Sequence, residues 1–241
     1  MTFDGSRGYG RAVDQRSVKS RFRELLLLPD VQLPLDELCL LISWMAGADI
    51  DVDDERRKLD IAARAVPPSF DGLMTHLFQG PAAVRGNAGD YYNLNNSLLS
   101  EVHRTGLGIP ITLSVLGMEL GRRAGVGIVG VGMPGHFLIR SADDADRFAD
   151  PFGGGRVLDR EGVRELFARI TSGRAPWNEA YFRVVSKRDI VFRILNNINV
   201  ACNKSPAVAV NLPWVLELLS WFPHGEAFDT KVAERSMARY N

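Results

Sequence analysis

The residues best placed to do chemistry lie in "VGMPGHFLIR" and the segment that follows it, "SADDADRFADPFGGGRV". His136 stands between a Pro-Gly turn and the apolar run Phe137-Leu138-Ile139, so a strand there carries one imidazole on an apolar background. The turn "SADDAD" then reverses the chain. A hairpin centred on Asp143 sets Arg140 against Asp146, Leu138 against Phe148 and His136 against Asp150, all on one face. Each pair is chemically matched, and a slip of one residue destroys all three. Facing side chains have Cβ atoms roughly 5 Å apart. That spacing predicts Nδ1–H of His136 donating to Asp150, which fixes the tautomer and leaves Nε2 as a base. Three roles stay open for His136: a base oriented by Asp150, a metal ligand, or a core histidine satisfied by its neighbouring acid. His76, His103 and His224 lie in other segments without ligand-like spacing to it, so neither a metal nor another cofactor is expected.

The elements that must position this pair are legible from period and punctuation. Residues 110–125 open with Pro110 at a helix N-terminus and close on Gly125, a left-handed cap. Ile111, Leu113, Val115, Leu116, Met118 and Leu120 point in nearly all directions, which predicts a helix buried on most sides. Around it, helices are expected at 34–47, 56–66, 73–78, 97–105 (capped by Asn96 or Ser97), 161–170, from Ser186 onward and at 206–222. Strands are expected at 126–131, 136–140 and 147–150. The tail beyond Pro223 reads as poorly ordered, and no fixed-period repeat is present.

Bulk properties narrow the function classes. The 241 residues are 46% hydrophobic and 24% charged, which suits a globular chain with a sizeable core. Formal net charge is zero, so nothing global points to nucleic acid or an anionic membrane. Neither a secretory signal nor a run of about 18 apolar residues is evident. Cys39 and Cys202 lack metal-like spacing and read as buried free thiols in a reducing cytoplasm.

Four local patterns, in this order, resemble the transglutaminase-like superfamily and within it the bacterial Sir-B-type branch, the second transglutaminase-core group. They are Asn96-Ser97 with the helix after it, Gly108-Ile109-Pro110-Ile111, Pro134-Gly135-His136-Phe137, and Asp150-Pro151-Phe152 with its glycines. The resemblance implies an α+β fold: a papain-like core of one buried helix on a small antiparallel sheet, with a helical N-terminal part and a C-terminal helical pair. The Gly- and Arg-rich start reads as a loose arm (1–20), followed by a core with N-terminal helices (21–182) and a helical pair with tail (183–241). The resemblance places His136 and Asp150 at the histidine and aspartate positions of a catalytic triad.

The nucleophile departs from the pattern. The family's cysteine sits in the first turn of the buried helix, where the dipole and the histidine lower its pKa. Residues 109–114 contain no cysteine, and Thr112 and Ser114 are their only hydroxyls. Either could replace the thiol, although a helical hydroxyl commonly bonds the carbonyl one turn back, and a water or an incoming amine activated by His136 could serve equally well. Asp90, Tyr92, Asn95, Asn96, Ser97, Pro110, Ile111 and Phe137 are the expected substrate-binding residues. Arg122 and Arg123 read as a solvated helix end, and "PFGGGRV" as a flexible turn.

Two functions follow. The retained His-Asp pair points to acyl transfer or hydrolysis of an amide, ester or thioester, the substrate being a small molecule, peptide or protein. The missing thiol points to a non-catalytic scaffold that holds a peptide or protein, with a partner at the C-terminal helices. The pair tips the sequence reading slightly toward the enzyme.

Overall fold

A computed structural model describes residues 14–80 and 83–222. The expected disordered tail lies outside the described residues. Helices α1 (Gln15–Leu26), α2 (Leu35–Met45), α3 (Val52–Ala63) and α4 (Phe70–Gln79) come first. Asp14 caps α1, so its first turns occupy part of the stretch expected to be a loose arm. α3 and α4 begin earlier than expected for the same reason: Asp51 accepts from Asp54 N at 2.8 Å, and Ser69 Oγ from Gly72 N at 3.0 Å.

Strand β1 (Arg85–Gly86) pairs in parallel with β2 (Leu107–Gly108), with α5 (Leu99–Thr105) between them. α6 (Pro110–Arg123) follows, then β3 (Ile128–Met133), β4 (His136–Ser141), β5 (Phe148–Asp150) and β6 (Arg156–Leu158). These four strands form one antiparallel sheet in sequence order. α7 (Arg160–Thr171), α8 (Lys187–Lys204) and α9 (Leu212–Leu219) complete the chain. The expected helix at 206–222 is split into a 3-10 segment, Pro206–Asn211, and α9. Pro213 has no N–H to donate, so it can sit only in the first turn of a new helix.

α6 is the centre of the molecule, as its all-round apolar pattern predicts: its buried residues include Ile111, Leu113, Val115, Leu116 and Leu120. Gly117 and Gly121 let neighbours approach closely, Leu77 and Ile139 at the first and Ile128 and Leu73 at the second. Phe137 and Ile139 join the large core around α6, whereas Leu138, Phe148 and Val131 form a second cluster with Val163, Phe167 and Ile170 of α7. The sheet is therefore covered on both faces, which explains why β4 is apolar at successive positions rather than alternate ones. Among the described residues no helix is long and apolar enough to cross a membrane.

Candidate functional site

The hairpin brings His136 and Asp150 together, but in a different register from the one expected. Arg140 faces Phe148 and Ile139 faces Ala149, a shift of two residues along the second strand. The cause is a wider loop. Ser141 N donates to Arg147 O, Arg147 N donates to Asp144 O, and the Asp144 carboxylate accepts from Asp146 N. The reversal is thus centred on Asp144. A two-residue shift keeps every side chain on its face, so Leu138 and Phe148 still share one apolar cluster, but neither that pair nor the charge pair stands directly opposite as expected. Asp146 pairs with Arg160, and Arg140 donates to the carbonyl of Phe182 at 3.3 Å.

In this register Asp150 is the diagonal neighbour of His136, a separation that a ring can span. Nε2 of His136 lies 2.8 Å from Asp150 Oδ1. A carboxylate accepts, so Nε2 is the donor that meets Asp150, the opposite ring nitrogen from the one expected from sequence. Asp150 Oδ1 also accepts from Gly153 N at 3.0 Å. Burial pushes the Asp150 pKa up, but the His136 hydrogen bond and charge, the Gly153 N–H and Arg156 together hold it below the usual carboxylate range. His136 and Asp150 are each 4% exposed, and Nδ1 has no hydrogen-bond partner among the described residues.

Phe152 packs beside the pair. Its ring meets His136 edge-on at 6.2 Å and Tyr91 at 5.9 Å. On its other side the ring lies so close to Gly86 that any side chain there would collide with it. Gly86 pairs with Gly108, two residues before the head of α6. The role of Phe152 was not read from sequence, although the true register sets residue 152 across from His136. The "PFGGG" segment is an ordered turn, with Gly154 and Gly155 at φ +75° and +74° and Gly155 N bonded to Asp150 O.

The hydroxyls at the head of α6 are committed elsewhere. Thr112 Oγ1 donates to Asn96 O at 2.5 Å and accepts from Ile109 N at 3.3 Å. Ser114 Oγ donates to Pro110 O at 2.7 Å, one turn back. Both side chains are buried. Cys39 lies on α2 and Cys202 on α8, both buried. Burial, with the charges of Glu119 and Asp36, holds the Cys39 thiol far above its ordinary value, and burial raises that of Cys202.

The expected substrate-binding residues divide into two groups. Asn96, Ser97, Pro110, Ile111 and Phe137 are buried. Asn96 does not cap α5, which starts at Leu99 without a side-chain cap. Its amide donates to the carbonyls of Asp90 and Tyr91 (2.6 and 3.1 Å) and accepts from Asn87, tying the loop to the head of α6. Asp90 and Asn95 are exposed and Tyr92 half-buried, with Lys204 Nζ 3.6 Å from the Tyr92 ring centre. Tyr91, Tyr92, Ser97 and Ile109 line a cavity with Asn197 and Val200 of only about 10 Å³, room for roughly one water. Arg123 is no solvated helix end: its side chain is 8% exposed and pairs with Asp36, Asp60 and Glu119. Among the described residues no group of His, Cys, Asp and Glu is arranged to hold a metal ion.

A model of the transglutaminase-like superfamily matches residues 55–196, a span that contains α6, His136 and Asp150. The chain belongs to that superfamily. A UPF0162 protein of Xylella fastidiosa is 33% identical over 192 residues, 74% of this chain and 68% of its own. UPF0162 protein PA3419 of Pseudomonas aeruginosa is 34% identical over 103 residues, 43% of this chain and 37% of its own. Human F-box only protein 21 is 27% identical over 134 residues, 52% of this chain and 20% of its own. No solved structure matches the chain significantly. The mixed α+β architecture, with one buried helix on a small antiparallel sheet, is the one this superfamily membership implies.

Proposed function

We propose that this protein uses a transglutaminase-like core as a non-catalytic scaffold that binds a peptide or protein. The observation that carries this reading is the commitment of both hydroxyls at the head of α6 to backbone carbonyls. A hydroxyl whose proton already serves a buried carbonyl is a poor nucleophile, because attack leaves that carbonyl unsatisfied. The burial of His136 beside Phe152 supports the same conclusion. On this reading Asp150 and His136 fasten β4 to the turn after β5. The sequence reading leaned slightly the other way because spacing cannot reveal hydroxyl partners or burial. Two buried, unpaired thiols fit a reducing, cytoplasmic setting.

One observation favours acyl transfer or hydrolysis instead. Nδ1 of His136 has no hydrogen-bond partner among the described residues, a position open to a general base. The two readings separate in one experiment. Turnover of an amide, ester and thioester panel is measured for the wild type and His136→Ala. Equal background rates support the scaffold. A wild-type rate above buffer that His136→Ala abolishes overturns it.

A further inference from the structure

We propose that the groove between α1 and α9 is a docking surface for an acidic peptide segment of a partner protein. It is an open groove of about 470 Å³, lined by Arg16, Lys19, Ser20 and Arg23 of α1, by Glu217 of α9 and by Trp221 just after it. The inference goes beyond the reading of the His136 site and shares none of its residues, so it stands whether or not that site reacts.

The pattern on α1 is what singles out the surface. Arg16, Lys19, Ser20 and Arg23 are spaced three, four and seven residues apart, which puts them on one stripe of the helix. The opposite stripe, Val18, Phe22, Leu25 and Leu26, is buried. The groove therefore presents three cations against one carboxylate. Among the described residues Lys19 is paired with Glu217 at 2.5 Å, whereas no salt bridge holds Arg16 or Arg23. Asp14, the other acid nearby, is occupied at the N-cap with Ser17 N at 2.7 Å. Trp221 supplies an apolar wall: it packs on Phe22 with ring centres 6.3 Å apart, and the Arg23 guanidinium stands 5.7 Å from its ring centre.

A groove with excess positive charge and one half-buried indole matches an acidic segment carrying an apolar side chain. The carboxylates meet Arg16 and Arg23, and the apolar group meets Trp221. Nucleic acid fits less well, because the chain has no net charge and Glu217 of α9 lines the groove with a carboxylate.

The test is fluorescence anisotropy of the full chain with a labelled Glu-Glu-Leu-Glu-Glu-Leu-Glu-Glu peptide, and separately with an oligothymidylate of similar length. Peptide binding is expected to weaken between 50 and 300 mM salt, as screened charges require. Arg16→Glu with Arg23→Glu is expected to weaken it by about thirtyfold, two exposed ion pairs at the upper end of their usual worth. Glu217→Gln is expected to tighten it, because it removes a carboxylate that opposes the acidic peptide. All three positions are solvent-facing, so circular dichroism should report an unchanged fold. No peptide binding, equal binding by the double variant, or tighter binding of the oligothymidylate overturns the proposal.

Discussion

The Asp150 carboxylate should hold the site together even if it catalyses nothing, and Asp150→Ala measures that. The substitution removes the acceptor for His136 Nε2 (2.8 Å) and for Gly153 N (3.0 Å). The imidazole is buried, so its donor gains no water in exchange. Stranding a buried donor costs about 1–3 kcal/mol, and breaking a buried ionisable pair by removing one partner costs about 3–5 kcal/mol. We take the latter, which for a domain of this size lowers Tm by roughly 6–20 °C. Asp150→Asn keeps the shape and one acceptor oxygen, so it should fall between Asp150→Ala and wild type. The pH dependence has a definite sign. The folded pKa of Asp150 is depressed, so its contribution is fully present above the ordinary carboxylate value and is lost as pH falls through the folded value. The gap between wild type and Asp150→Asn should therefore narrow below about pH 4. Thermal melts by circular dichroism at pH 7 and in acid test both points. An Asp150→Ala protein melting within about 2 °C of wild type, less than 1 kcal/mol, refutes the reasoning.

Three further outcomes are expected. Phe152→Ala should raise the rate at which diethyl pyrocarbonate modifies His136 several-fold, read by peptide mass spectrometry; an unchanged rate means that ring does not shield the imidazole. Gly154→Ala should cost about 1–2 kcal/mol for its left-handed backbone alone, whereas Gly155→Ala adds a collision with the Phe78 ring and should cost clearly more. A melt ranking the two in the opposite order contradicts that packing. Finally, Cys39 and Cys202 should be inert to a disulfide reagent in the native protein and both titrate in denaturant; rapid native labelling of Cys39 would show that its helix is not buried as described.

Much of this arrangement was legible because its signals are local. Pro110 and Gly125 bracket α6, Ser186 accepts from Asp189 N as the capping pattern requires, and the all-round apolar surface of α6 announces its burial. What was illegible depends on partners distant in sequence or on fine geometry. The apparent solvation of Arg123 fails because Asp36 and Asp60 arrive from α2 and α3. The register fails by two residues because the Asp144 side chain closes a five-residue loop that spacing could not distinguish from a tighter one. β6 went unread because the preceding glycines resemble a loop, although two of them are held in fixed left-handed turns. The expectation that Nδ1 meets Asp150 fails because strand pairing brings an imidazole near an acid without choosing the nitrogen that faces it.

The central claim is that the head of α6 offers no reactive group to His136. Incubation of the full chain with an activated acyl thioester, followed by intact-mass and peptide analysis, tests it most directly. The account predicts an unmodified Thr112 and Ser114 at times when exposed lysines already carry acyl groups. Stoichiometric acylation of either hydroxyl, lost in His136→Ala, would contradict it.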